Sequence, residues 1–126
     1  MADHIGNRPR GLIGVIRATA WSLQGLKAAW RHESSFRLEV CLAVALAPLA
    51  LYLGQTAVER VLLLGSLLLI LAMELANSAI EAVIERYGNE LHPLAGRAKD
   101  MGSAAVFILI MNALICWTLI VLPQWL

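Results

Sequence analysis

From residue 101 to residue 126 the chain carries no charged side chain, and a run of that length is best accommodated as a helix crossing the hydrocarbon core of a bilayer, which takes about 20 residues. Two other apolar stretches precede it, VCLAVALAPLALYL at 40–53 and VLLLGSLLLILAM at 61–73. Composition points the same way: 60% of the 126 residues are hydrophobic and 15% charged, too apolar for a soluble domain. A chain this short holds one domain and about four crossings at most, which excludes a large aqueous catalytic domain. Ten Lys+Arg against nine Asp+Glu leave a formal charge of +1, so no basic excess argues for nucleic acid. Any chemistry therefore belongs at or in the bilayer surface, on side chains borne by the helices themselves.

The segment 11–31 behaves differently. Its longest uncharged run, 18–26, is about half of what a span needs. Ile16, Leu23, Leu26 and Trp30 recur at helical spacing on one face, and Arg17, Gln24, Lys27 and Arg31 on another, the pattern of a helix lying among headgroups. Trp21 and Trp30 suit that interface. The first residues, MADHIGNRPRG, lack the apolar core of a signal peptide, so the expected insertion is through the spans themselves. Cys41 and Cys116 lie far apart in apolar stretches and read as small apolar fillers.

The expected fold is therefore an all-α membrane protein in a single domain, 1–126: an amphipathic surface helix at about 8–31 and spans at about 36–54, 58–87 and 99–123. Pro48 is placed to kink the first span. Arg8, Arg10, Arg17, Lys27, Arg31 and Arg37 precede that span, Arg86, Arg97 and Lys99 flank the loop between the second and third, and only Arg60 falls in the other connection. By the positive-inside rule the N-terminus and the 87–98 loop are cytoplasmic, and the C-terminus lies on the far side.

The second span contains the anomaly. In MELANSAIEAVIERYG, Glu74, Glu81 and Glu85 are spaced so that they fall within roughly 40° of one another on a helix, with Asn77 and Ser78 beside them. A polar stripe thus climbs into the bilayer and ends at Glu74. An acid at mid-bilayer costs up to about 3.5 kcal/mol on insertion scales, and such residues are by default functional. Burial disfavours the charged form of a carboxyl group and suits it to accept a proton, while closely spaced carboxylates near the surface suit Mg²⁺. Pairing of Glu74 for helix packing, and simple solvation of Glu85 at a helix end, are the structural alternatives.

Two further segments carry candidate chemistry. In GRAKDMGS, at 96–103, Lys99 and Asp100 are expected at the N-terminal end of the third span, where free amide groups favour phosphate. The order is not that of a Walker loop, and taken alone the segment reads more readily as a basic flank with an acidic cap. In WRHESSFRLE, at 30–39, Glu33 and Glu39 are expected near the membrane surface, level with the lower acids of the second span. There Glu33 could complete a metal site with Glu81, or simply balance Arg31 and Arg37. His4 and His32 read as surface residues, whereas His92 sits beside the candidate phosphate site.

ELANSAIE at 74–81, GRAKDMGSAAV at 96–106 and LKAAWRHESSFRLE at 26–39 together resemble the small prokaryotic diacylglycerol kinase family, over nearly the whole chain. The resemblance implies a homotrimer with active sites composed between neighbouring subunits at the cytoplasmic interface of the bacterial inner membrane, and a C-terminus in the periplasm. Glu74 becomes the general base on the lipid hydroxyl, with Asn77 beside it, and Glu33 and Glu81 become Mg²⁺ ligands. ATP is met by Trp21, Glu33, Glu81, Glu90, Leu91, His92, Lys99 and Asp100. Diacylglycerol is gripped by Ser22, Trp30, Phe36, Arg37, Glu39 and Glu74, with Ser103 and Trp117 on the last span. The chain departs from the family pattern at Glu85, usually Asp, at Gly14, where relatives carry an Arg that Arg10 or Arg17 could replace, and at Pro93 and Ala95 in the loop.

The expected reaction is transfer of the γ-phosphoryl group of MgATP to diacylglycerol, giving phosphatidic acid, which needs positioning and charge neutralisation more than a soluble kinase fold. An undecaprenol kinase of the same family is the alternative substrate reading, disfavoured by the N-terminal half. A small proton-coupled multidrug exporter would need four spans with both ends cytoplasmic, against which the charged 11–31 segment argues. A non-catalytic assembly protein gives no reason for the stripe of Glu74, Asn77 and Glu81.

Overall fold

The structure, a computed structural model, describes residues 10–87 and 92–126. Among these are four α-helices and no strand: α1 (Gly11–His32), α2 (Ser34–Leu53), α3 (Ala57–Arg86) and α4 (Pro93–Val121), the last ending in a 3-10 turn at Leu122–Gln124. α2, α3 and α4 are long and apolar enough to cross a membrane; α1 is not among the candidate spans. α2 runs through Pro48 without interruption.

α3 is the central helix, packed against α4, α2 and the end of α1. Its buried residues, Leu63, Ser66, Leu67, Glu74, Asn77 and Ser78, are spaced by three, four and seven positions and so form one face. On α4 that face meets Gly102, Val106 and Ala113, small or short side chains that let the two helices approach. Lipid is as apolar as leucine, so packing and hydrogen bonds rather than water exclusion hold spanning helices together. The Trp117 indole N–H donates to Ser66 Oγ at 3.2 Å, and Ser66 Oγ donates to the Leu63 carbonyl at 2.7 Å. A bond of this kind contributes about 0.6 kcal/mol inside a membrane. Outward-facing leucines, isoleucines and valines such as Leu42, Val44, Leu68, Ile108 and Leu119 are exposed, as suits a surface solvated by acyl chains.

The elbow between α1 and α2 is a single extended residue, Glu33. Arg37 closes it: one guanidinium nitrogen donates to the carbonyls of Trp30 at 2.8 Å and Arg31 at 3.2 Å, satisfying acceptors that the end of α1 leaves open. At the far end, Thr56 and Glu59 form a reciprocal capping box that starts α3. Arg60 Nε donates to the Leu51 and Gly54 carbonyls, and Gln124 Nε2 donates to Leu53 O at 2.9 Å and Ile120 O at 3.1 Å, tying the end of the chain to the α2–α3 turn. A side chain at Gly54 would press on Arg60 and the Ala50 carbonyl, which is why glycine stands there.

Helix limits differ from the sequence expectation most at α4, which begins at Pro93 rather than near residue 99. Proline at the first helical position is preset for the turn, and His92 caps it, its Nδ1 accepting from the Leu94 amide at 3.1 Å. Lys99 and Asp100 consequently stand in the second turn of α4, with their amides inside the helix. They are not at a helix N-terminus, and the free-amide argument for phosphate binding there fails. The surface helix starts at Gly11; residues 8 and 9 of its expected range lie outside the described residues.

Candidate active site

A helix of period 3.6 grades the acids of α3 by depth: Glu74 is buried, Glu81 half-buried and Glu85 exposed. Asn77 lies between the first two and is also buried, its Nδ2 donating to Glu81 Oε1 at 3.4 Å. Against this face α1 and α2 bring Glu33 and Ser35, and α4 brings Ser103, Val106, Phe107 and Ile110. Together with Glu74, Asn77 and Glu81 they line a cavity of about 390 Å³. Four of the residues singled out from sequence for chemistry, Glu33, Glu74, Asn77 and Glu81, thus meet in one space, and Ser103 joins them.

Glu39 is a correction. Expected at the surface with the lower acids, it instead faces Glu74, the deepest of them, close enough for the two carboxyl groups to interact, and its Oε2 is buried without a hydrogen-bond partner. The reason is geometric: Glu39 lies six positions beyond the Glu33 elbow, about 9 Å along α2. Glu81 and Glu33 also lie within electrostatic range of Glu74. Like charges gathered away from water repel one another, and a cation among them relieves that repulsion.

Two further spaces adjoin the cavity. Glu39 and Ile110 also line an apolar groove of about 420 Å³ that runs along Leu42, Leu46, Leu67, Ile70 and Ala113 to Trp117. On the other side, Glu33 also lines a pocket of about 590 Å³ beneath α1, with His32, Ser78, Glu85 and small residues at Gly25, Ala28 and Ala29. Glu74 and its neighbours therefore stand between a polar pocket and an apolar groove. Such a site can receive a charged reactant from one side and an acyl chain from the other.

The remaining expected residues are distributed as follows. Lys99 is exposed, one helical turn before Ser103 and so on the same face of α4, and is not among the residues that line the cavity. Asp100 is exposed beside it. Phe36 is buried, and Arg37 is engaged in closing the elbow. Trp30 is exposed and Trp21 half-buried on α1, where exposed Ser22 donates to the Ala18 carbonyl at 2.9 Å. His92 caps α4. Glu90 and Leu91 lie outside the described residues. Arg17 stands about 12 Å along α1 from Gly25, the nearest α1 residue of the polar pocket, and Arg10 is farther still.

Sequence reasoning passed over Ser35, and over Ser78 as a site residue. Ser78 was readable, since it follows Glu74 by four positions, and its Oγ is buried without a partner. Nothing local marks Ser35. Among the described residues no three histidine, cysteine or acidic side chains are arranged to hold a metal by themselves. Glu33 and Glu81 offer an all-oxygen pair, which fits Mg²⁺, an ion bound through one or two carboxylates and completed by water and phosphate.

Comparison with known proteins adds an independent line. The family model described as prokaryotic diacylglycerol kinase matches residues 20–121. The chain is 50% identical over 107 residues to the diacylglycerol kinase of Haemophilus influenzae, covering 85% of this chain and 91% of that one. With the diacylglycerol kinase of Escherichia coli K12 it shares 45% identity over 116 residues, 92% of this chain and 95% of the relative. The Pseudomonas aeruginosa diacylglycerol kinase is 46% identical over 112 residues, 89% and 91% of the two chains.

Proposed function

The chain belongs to the prokaryotic diacylglycerol kinase family, and from that premise we propose that its acid-lined cavity is where the γ-phosphoryl group of ATP passes to the hydroxyl of diacylglycerol, giving phosphatidic acid and ADP. The observation that carries the assignment to this cavity is the position of Glu74, buried in a cavity that shares Glu33 with the polar pocket on one side and Ile110 with the apolar groove on the other. The relatives compared above all bear the name diacylglycerol kinase. Three helices of the described residues, not four, are long and apolar enough to span, which disfavours the exporter.

Glu74 takes the proton from the lipid hydroxyl as its oxygen attacks the γ-phosphorus. The new bond joins lipid oxygen to phosphorus, the bond to the ADP oxygen breaks in line with it, and Glu74 later gives up its proton to water. Asn77, between Glu74 and Glu81, directs its amide N–H at Glu81. Glu33 and Glu81 would hold Mg²⁺, which when bound neutralises phosphate charge. Lys99, one turn before Ser103 on α4, meets the charge of the nucleotide phosphates; Asp100, His92, Glu90, Leu91 and Trp21 complete the nucleotide contacts. Glu39, Phe36, Arg37, Ser22, Trp30 and Ser103 orient the lipid, with an acyl chain in the groove that ends at Trp117.

The charge distribution supports a cytoplasmic N-terminus and a C-terminus on the opposite face of the bacterial inner membrane. The large apolar faces left open on each helix suit a homotrimer in which neighbouring subunits complete each site. The test is MgATP-dependent phosphorylation of diacylglycerol by purified protein in mixed micelles, wild type against Glu74→Gln. Loss of the base is expected to slow turnover by about 100-fold or more. Equal rates would remove Glu74 from the reaction, and faster turnover of undecaprenol than of diacylglycerol would reassign the substrate.

A further inference from the structure

Glycine weakens the middle of a helix, because its backbone has more freedom to lose and it offers no side chain to pack. α4 nevertheless carries buried Gly102 within its length. A Cβ built there would overlap Asn77 Oδ1 and lie 3.4 Å from Asn77 Cγ and 3.7 Å from Ile80 Cδ1. Three other glycines inside helices, Gly25, Gly65 and Gly96, would meet nothing within 4 Å. Gly102 is therefore the one among them whose missing side chain makes room for a neighbour.

That neighbour is weakly tethered. Among the described residues the Asn77 side chain makes one hydrogen bond, to Glu81 at 3.4 Å, at the long limit for such a bond. Its Oδ1 is buried without a partner. With so little hydrogen bonding to fix the amide, its orientation depends on what it rests against, and it rests against the bare backbone of α4.

We propose that Gly102 is a positioning residue for the reaction: its bare Cα seats the Asn77 amide against α4, keeping Nδ2 directed at Glu81 and the space between Glu74 and Glu81 open. A methyl group at residue 102 drives the amide off that seat and into the cavity. The claim about turnover rests on the kinase reading of the cavity; the claim about the contact does not.

The experiment is a double-mutant cycle of Gly102→Ala and Asn77→Ala, with kcat, the KM for MgATP and thermal unfolding in detergent measured for all four proteins. Gly102→Ala is expected to lower kcat by about 100-fold while KM changes by less than about threefold, as misplacement of a reacting group does. It should also lower Tm through overpacking. In the Asn77→Ala background the same substitution should cost neither rate nor Tm, because the obstructing amide is gone. Wild-type kcat in Gly102→Ala would overturn the proposal, as would equal losses of Tm in both backgrounds, which mark damage to helix packing alone. If the residual rate of Asn77→Ala is too low to follow, kcat of the single Gly102→Ala protein and the thermal cycle decide between these outcomes. Should the wild type fail to phosphorylate diacylglycerol at all, the kinase reading falls, and the thermal cycle still accepts or rejects the contact.

Discussion

At the scale of single residues the site is a matter of depth. Glu81 sits midway between buried Glu74 and exposed Glu85, where water and a nucleotide can both reach it, and it shares its cavity with Glu33. If these two carboxylates hold Mg²⁺, Glu81→Gln should raise the Mg²⁺ concentration for half-maximal rate by about tenfold or more, and Glu33→Gln should do likewise. Unchanged magnesium titrations would take both out of the metal site. The stripe of Glu74, Asn77 and Glu81 was legible because helical spacing fixes which residues share a face. The level of Glu39 was not, because it depends on how far α2 slides along α3, and no spacing within one helix carries that. Ser66 and Trp117, 51 positions apart, are joined only by the packing of α3 on α4.

Among elements, α3 and its connections set the frame. Its start is written locally: Thr56 with Glu59 three positions later is a capping box, worth about 1 kcal/mol when the cap is removed. Thr56→Ala should therefore lower the unfolding temperature in detergent by a few degrees, of the order expected for ~1 kcal/mol in a chain of this size. At a temperature well below that transition, turnover of diacylglycerol should stay at the wild-type level. A loss of rate there would mean that the cap and the acid cavity are coupled. The three spanning helices and the surface helix followed from apolar run lengths and charge placement. The start of α4 did not, because the charges of Arg97, Lys99 and Asp100 suggested where the membrane begins, whereas Pro93 and His92 decide where the helix begins.

For the molecule as a whole, the described part of one chain buries little: Leu63 is the large side chain it encloses fully, and apolar side chains face outward on every span. If the proposed homotrimer forms, the mass in native conditions after subtraction of bound detergent should be that of three copies; a monomer with full activity would contradict it. A reporter active only in the cytoplasm should work at the N-terminus and fail at the C-terminus, and activity at both ends would reverse the charge-based orientation. The bonds of Thr56, Arg60 and Gln124 gather at one end of the bundle, and the candidate reacting groups gather at the other. For protein engineering this separation is useful: stabilising substitutions and fusion partners belong at the Gln55 turn and the C-terminus, where they can be varied at a distance from the acids that carry the chemistry.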